Sequence, residues 1–225
     1  QEGHGIGKDE TEAFLWFRKA ADAGNAYGFG NLGYLFETGR GVGKDEAHAV
    51  RWYQKAAAAG DAYGMARLGQ MYERGRGIGK DVTEAARWYG KAAAAGSSDA
   101  MADLGQMYEN GRGVGKDETE AVRWYRSAAS NGSAFGMVRL GAMVADGRGT
   151  GKDEVDAMRW YGKAAEAGNA DAMTNIGVMY RDGRGVGTDD AEAARWFRKA
   201  AEGVSAEGMT NLGYMYETGR GVDKS

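Results

Sequence analysis

The sequence predicts an all-α protein built from copies of one helix pair, and three observations lead to this prediction. A Gly-Arg-Gly segment recurs every 36 residues, from Gly39 to Gly219. Between these Gly-Arg-Gly segments, apolar residues recur at intervals of three and four residues, as they do along one face of a helix. Repeats of roughly 20–50 residues are typical of arrays in which each copy is one supersecondary unit. The six tryptophans recur at the same 36-residue interval, at Trp16, Trp52, Trp88, Trp124, Trp160 and Trp196.

The first helix of each copy is predicted from residues such as Met65, Leu68 and Tyr72, which fall on one helical stripe. A glycine, Gly69 in this copy, occupies the same mid-helix position in all six copies. Glycine inside a helix costs about 0.5–1 kcal/mol relative to Ala. Its recurrence therefore indicates that a neighbouring side chain packs where a Cβ would lie, and we expect a tryptophan of the same or the adjacent copy there.

The loop between the helices reads Gly-Arg-Gly-Val-Gly-Lys-Asp. Its first glycine is expected to end the helix in a left-handed conformation, and the Val or Ile (Ile6 in the first copy) to fill the space beneath the loop. A phosphate-binding loop is excluded because the glycine spacing is wrong, an Asp follows the Lys and a helix precedes the loop. Acids such as Glu37 and Asp45 favour a surface salt-bridge ladder over an anion site for the loop arginines. These are Arg40, Arg76, Arg112, Arg148, Arg184 and Arg220.

The second helix starts at an Asp, such as Asp81, with an acid three residues later that predicts a capping box. The pair Glu84 and Arg87 is expected to add a few tenths of a kcal/mol. The tryptophans are interpreted as a core row in preference to a sugar-binding platform. The two histidines are interpreted as a loop variant, His4 within Gly3-His4-Gly5, and an exposed helix-start variant, His48.

One uninterrupted array is predicted over residues 1–225. The predicted segments are a second helix at 9–23, full copies at about 25–60, 61–96, 97–132, 133–168 and 169–204, a final first helix at 205–218 and a tail at 219–225.

The pattern Ala-x-x-x-Leu-Gly-x-x-Tyr-x-x-Gly-x-Gly-Val-x-x-Asp-x-x-x-Ala-x-x-Trp-Tyr-x-Lys-Ala-Ala-x-x-Gly resembles the Sel1-like repeat, a relative of the tetratricopeptide repeat. The resemblance covers nearly the whole chain. It implies an α-solenoid with a right-handed superhelix, acting as a bacterial scaffold or adaptor in protein–protein interaction. The departures are local, with Leu15, Val144, Thr150 and Val204 at positions that hold other residues in most copies. The family's cysteine-rich branch is a poor guide because this chain has no Cys.

A binding surface is predicted where the copies differ from one another. In the first helix these residues form a second stripe, which lines the concave groove in related repeats, and the alternative is a solvated groove with tolerated drift. The candidates are Tyr27, Asn31, Tyr34, Tyr63, Arg67, Gln70, Asp103, Gln106, Phe135, Arg139, Asn175, Asn211 and Tyr214. Around Arg139, the residues Phe135, Val138, Ala142 and Val178 make this stripe apolar, either as an anchor pocket or through drift in one helix.

The leading functional prediction is a non-catalytic scaffold that binds a protein or peptide. The alternatives are an envelope carbohydrate or peptidoglycan binder, a spacer and, least favoured, an enzyme. A net charge of −3 does not favour nucleic acid, and no apolar run is long enough for membrane insertion. We expect no cofactor or bound metal, and the sequence leaves bacterial cytoplasm, periplasm and secretion open. The last helix is expected to leave Met209, Leu212, Met215 and Tyr216 partly uncovered, so that the chain is a fragment or associates end to end.

Overall fold

The computed structural model describes residues 9–222, which form twelve α-helices and no strand. The predictions for Ile6 and for Gly3-His4-Gly5 lie outside the described residues. The helices are α1 (Glu10–Asp22), α2 (Ala26–Thr38), α3 (Glu46–Ala58), α4 (Ala62–Arg74), α5 (Val82–Ala94), α6 (Ser98–Asn110), α7 (Glu118–Ser130), α8 (Ala134–Asp146), α9 (Glu154–Glu166), α10 (Ala170–Asp182), α11 (Asp190–Glu202) and α12 (Ala206–Thr218).

The chain divides into two compact units, residues 1–115 with α1–α6 and residues 116–225 with α7–α12. Within each unit, a first helix such as α4 or α10 packs against the second helices that precede and follow it. First helices of successive copies also touch, as α2 touches α4 and α10 touches α12. This nearest-neighbour stacking confirms the predicted all-α solenoid. The division into one array with the segment boundaries given above stays a prediction.

An aspartate caps each second helix, but the capping box is only half formed. Oδ1 of Asp81 accepts a hydrogen bond from the Glu84 backbone N–H at 2.9 Å. The Glu84 carboxylate does not return to the cap; it pairs with Arg87 at 3.1 Å, as predicted. The N–H of Asp81 donates to the carbonyl of Tyr72 at 2.9 Å, so this cap also ties the second helix to the first, and the caps Asp45, Asp153 and Asp189 make the same bond. His48 is exposed at such a helix start, as predicted.

Four of the mid-helix glycines pack against a tyrosine or phenylalanine, and the prediction of a tryptophan there is wrong. A Cβ on Gly33 would lie 2.5 Å from Cε1 of Tyr53, and one on Gly177 would lie 2.6 Å from Cε1 of Phe197. The same contact joins Gly69 to Tyr89 and Gly141 to Tyr161. These rings come one residue after the tryptophans. Since each residue turns the helix by about 100°, the ring after the tryptophan points inward.

The tryptophans lie at the edge of the core, so the predicted tryptophan core row is also wrong. Trp16 is 59% exposed, and the other five are half-buried. Where a Lys follows three residues later, its ammonium lies over the indole, as Lys91 does at 3.9 Å from the ring centre of Trp88. This geometry is a cation–π contact. The fully buried aromatic side chains are instead Tyr53, Tyr89, Tyr125 and Phe197.

The loops have the predicted helix-ending glycines and apolar plugs. Gly39 ends α2 with φ of +75°, and Ile78 packs against the core cluster around Tyr53 and Leu68. The second loop glycine also has a steric role, because a Cβ on Gly41 would overlap the backbone carbonyl of Glu10. These contacts explain why the loops are rich in glycine.

The loop arginines form the predicted salt-bridge ladder, but mostly with other acids. Arg40 pairs with Glu10 at 2.8 Å, and Arg76 pairs with Glu46 at 2.8 Å, each 30 residues upstream at the start of a second helix. Glu37 pairs with Arg76 of the following copy, at 3.0 Å. The two acids named in the prediction therefore have other roles. Glu37 pairs with the loop arginine of the next copy, and Asp45 caps the second helix.

The last helix is partly uncovered, although less than expected. Met209 and Tyr216 are 47% and 51% exposed, and Leu212 is half-buried. Met215 is fully buried, packed with Phe197, so the expectation for this residue is wrong. End-to-end association stays a prediction that light scattering at several concentrations tests.

Candidate functional site

The predicted binding residues lie on the first helices, and we call this set the first-helix face. Its members are Tyr27, Asn31, Tyr34, Tyr63, Arg67, Gln70, Asp103 and Gln106 in the first unit and Phe135, Arg139, Asn175, Asn211 and Tyr214 in the second. Four of them expose large aromatic surface. Tyr27 and Tyr63 are 70% and 43% exposed, and Phe135 and Tyr214 are 44% and 49% exposed.

Several polar members are already held by neighbouring groups. Nδ2 of Asn31 donates to the carbonyl of Tyr27 at 2.8 Å. The hydroxyl of Tyr34 accepts from Arg40 at 3.2 Å. Oδ1 of Asn211 accepts from Arg181 at 2.9 Å. Because these groups have partners within the fold, they shape the face more than they offer free hydrogen bonds.

Arg67 belongs to a half-buried network around Glu37, whose side chain is only 4% exposed. Tyr53 donates its hydroxyl to Oε2 of Glu37 at 2.7 Å, and Arg67 donates Nη2 to the same oxygen. Arg76 adds a contact to Oε1 at 3.0 Å. Burial raises the pKa of Glu37, but the hydrogen bonds from Arg67 and Tyr53 and both positive charges outweigh it, so the pKa falls below its usual value. Arg67 is therefore first of all a structural partner of Glu37.

The next copy has the opposite charge at the position of Arg67. Glu73 accepts from the hydroxyl of Tyr89 at 2.8 Å and pairs with Arg112 at 2.9 Å, but Asp103 stands where an arginine would complete the network. Burial and the charges of Glu73 and Asp99 raise the pKa of Asp103 to about 6. Asp103 lines a cleft of about 480 Å³ together with Gln70, Glu73, Arg74, Lys80, Tyr89, Gln106 and Arg112.

Replacing Asp103 with Asn is expected to stabilise the protein at pH 7 by about 1.5 kcal/mol. This is roughly half of the free energy that corresponds to a shift of two pKa units, because solvent in the cleft screens the charges. The folded pKa lies above the unfolded one. The folded state therefore binds more protons between pH 4 and 6, and wild-type stability falls as the pH rises through that range.

Urea unfolding of the wild type and Asp103→Asn at pH 3.5 and pH 7 checks this prediction: the gain in stability should vanish at pH 3.5. Asp171→Asn, at an exposed position, is the control. An equal gain at both pH values would exclude this explanation.

In the second unit, the predicted apolar patch is only partly an apolar pocket. Ala142 and Val178 line a cavity of about 190 Å³, but polar side chains form much of the rest of its wall. Phe135 and Val138 are not among its lining residues. The full lining is Ala142, Ala145, Asp146, Tyr161, Asn175, Val178, Met179 and Arg184. Arg139 lies with its guanidinium 5.9 Å from the ring centre of Tyr125.

The predicted binding residues do not include those that organise these sites, among them Glu37, Tyr53, Tyr161 and Arg184, although the sequence predicts Glu37 and Arg184 in the salt-bridge ladder. A signal was present, because an acid at the end of the first helix and a tyrosine after the tryptophan recur at the 36-residue interval. Only the folded chain brings those positions together across neighbouring helices. Within residues 9–222, no group of three or more His, Asp or Glu side chains could hold a metal ion. No helix in that range is long and apolar enough to span a membrane.

The model of the Sel1 repeat matches the chain in seven segments, residues 1–25, 31–61, 62–97, 98–133, 134–169, 170–204 and 206–225. The chain belongs to the Sel1 repeat family. Proteins of this family are generally non-catalytic scaffolds for protein interaction.

Solved structures of Sel1 repeat proteins have the same fold. A Sel1 repeat protein from Oxalobacter formigenes is 35% identical, with a TM-score of 0.90 over 96% of this chain and 88% of that one. The c5321 protein, described as a protective antigen of uropathogenic Escherichia coli with an SLR fold, is 34% identical with a TM-score of 0.86. The alignment covers 97% of this chain but only 47% of that antigen. The immunity protein Pa5087 of Pseudomonas aeruginosa, at 19% identity over 90% of this chain and 77% of that one, shares the fold with a TM-score of 0.59. No curated protein sequence matches the chain.

Proposed function

We propose that this Sel1 repeat protein is a non-catalytic scaffold that binds a protein or peptide partner through the first-helix face. The observation that carries the proposal is the exposure of Tyr27, Tyr63, Phe135 and Tyr214, at 43–70%, on the part of the helices that differs between copies. Aromatic side chains are enriched at protein interfaces because they bury large area at low entropic cost.

The polar positions between these aromatics give each copy a different chemistry. The same repeat position holds Arg67 paired to a carboxylate, Asp103 facing a carboxylate, or the neutral Asn175. Repeats that served only as a spacer would need no such differences. A surface that changes from copy to copy suits an extended partner, since each copy then contacts a different part of it.

A saccharide-binding function is less well supported because the tryptophans offer few open ring faces. Lysine ammonium groups lie 3.9–4.4 Å from the ring centres of five of them, Trp16, Trp52, Trp88, Trp160 and Trp196. Titration with saccharides, followed by tryptophan fluorescence, tests this alternative and should show no saturable change.

Truncating Phe135 to Ala is expected to weaken partner binding without unfolding the protein, because the ring is 44% exposed and lies on the first-helix face. The matched control is Val155→Ala, which removes an equally exposed apolar side chain from the second helix α9. Immobilised wild-type and variant proteins would capture partners from an extract of the source cells, with circular dichroism to verify folding. Bands lost with Phe135→Ala but kept with Val155→Ala support the proposal. Identical captures by all three proteins would oppose it.

A further inference from the structure

One copy in the second unit keeps the buried tyrosine but lacks the carboxylate that its counterparts in the first unit hold. Glu37 and Glu73 each accept a hydrogen bond from a buried tyrosine hydroxyl, at 2.7 and 2.8 Å. The position 72 residues after Glu73 is Ala145. The tyrosine of this copy, Tyr161, is kept, so its usual acceptor is missing.

Tyr161 has a largely buried side chain and a hydroxyl without a partner among residues 9–222. The residue is 5% exposed, and its side chain lines the cavity of about 190 Å³ beside Ala145. In the part of the chain that the structure describes, the hydroxyl makes no hydrogen bond. Burial and the nearby charge of Asp146 raise the pKa of Tyr161 to about 12, so the group stays protonated and can donate.

Two more donors line the same cavity. Asn175 takes the place that Arg67 has in the first unit, and among the described residues its side-chain amide forms no hydrogen bond. Arg184 donates Nε to Glu154 at 3.2 Å, while its Nη2 has only a long contact of 3.4 Å to the exposed Asp146.

The counterpart of Arg184 shows what such an arginine can hold. In the first unit, Arg76 binds two carboxylates at once, Glu46 at 2.8 Å and the buried Glu37 at 3.0 Å. Arg184 retains the first of these partners, as Glu154, and lacks the second. Asp146 also lines the cavity, and with 53% of its side chain exposed it stays hydrated when another anion binds Arg184.

We propose that this cavity binds a carboxylate group of a ligand, in the place of the missing glutamate, through Tyr161, Asn175 and Arg184. A volume of about 190 Å³ equals roughly six water molecules at about 30 Å³ each, which is enough for a carboxylate and a short alkyl stem. The apolar wall of Ala142 and Val178 contacts that stem. Hydrogen bonds from neutral and charged donors to one carboxylate are among the stronger polar contacts in proteins.

The identity of the ligand rests on the proposed function, since a bound protein would supply either an acidic side chain or its C-terminal carboxylate. The binding chemistry itself can be tested without any partner. Two small probes separate the sources: N-acetyl-glutamate amide carries only a side-chain carboxylate, and N-acetyl-alanine carries only a terminal one. Propionamide, which has no negative charge, is the control ligand.

The test is an NMR titration of the full chain with each probe, following the side-chain NH₂ of Asn175 and the Nε–H of Arg184. Saturable shifts with at least one carboxylate probe, and none with propionamide, are expected. Tyr161→Phe should weaken binding about tenfold by removing one hydrogen bond to a charged group. Ala145→Glu should abolish binding by placing the protein's own carboxylate in the cavity, and it should fold because glutamate occupies this position in other copies.

The results overturn the proposal if neither carboxylate shifts these signals, or if Ala145→Glu binds as well as the wild type. Saturation by only one probe supports it and identifies the source of the carboxylate. Because no partner takes part, a negative result here leaves the proposed function standing, and failure of the Phe135 test leaves this site standing.

Discussion

Replacing Glu37 with Gln lowers the free energy of unfolding by about 3 kcal/mol, the usual cost of breaking a buried ion pair from one side. An amide cannot neutralise Arg67 and Arg76, whose guanidinium groups both contact Glu37. Tyr53 keeps a partner of similar shape, so most of the loss comes from the two unbalanced charges. Urea unfolding followed by circular dichroism measures the change, and urea is chosen because it does not screen charge.

The control for this prediction is Glu217→Gln, at the same repeat position in α12, where the side chain is exposed. Its effect should be close to zero. The loss at Glu37 should also depend on pH. The folded pKa of Glu37 is lowered, so its stabilisation is complete above the unfolded value of about 4.3 and disappears as the pH falls through the folded pKa. Equal effects of the two variants at pH 7 would exclude the network as a source of stability.

Replacing Gly33 with Ala is expected to destabilise the protein by about 2 kcal/mol, although Ala is the better helix former. The new Cβ would lie 2.5 Å from Cε1 of Tyr53, and that ring is fully buried and held by its hydrogen bond to Glu37. Neither the ring nor the helix can move away without breaking other contacts. The midpoint of thermal unfolding measures the change.

Gly213 is the matched control, since it is the equivalent glycine of α12 and a Cβ there would meet nothing within 4 Å. Gly213→Ala should stabilise the protein by about 0.5–1 kcal/mol through helix propensity alone. Both substitutions replace a mid-helix Gly with Ala. Changes in stability of opposite sign would therefore be due to the packing contact at Gly33. A loss of the same size at both glycines would show that the packing interpretation is wrong.

The fold could be predicted from the sequence because the 36-residue interval fixes which residues are equivalent, and caps such as Asp81 and stops such as Gly39 have local causes. The packing partner of Gly33 could not be predicted from the sequence. Tyrosine follows the tryptophan in four copies and phenylalanine follows it in two, and only the rotation between adjacent helices decides which ring faces inward. Periodicity shows that both positions are constant and does not show which one is buried.

The residues of the first-helix face could be predicted from the sequence, but the side chains that they contact in the folded chain could not. Arg67 varies between copies, and that variation led to its selection as a ligand-binding residue. The folded chain shows that its partner is the acid at the end of the preceding first helix, 30 residues upstream. Pairs such as Glu37 with Arg67 and Ala145 with Asn175 become neighbours only when successive first helices stack.

We propose above that the first-helix face binds a partner. Its most direct test is the ratio of dissociation constants of Phe135→Ala and wild type for one purified captured protein, measured by isothermal titration calorimetry beside Val155→Ala. We expect a ratio of about ten or more for Phe135→Ala, typical of an aromatic interface residue, and a ratio near one for Val155→Ala. Ratios near one for both variants, or a larger effect of Val155→Ala, would contradict it.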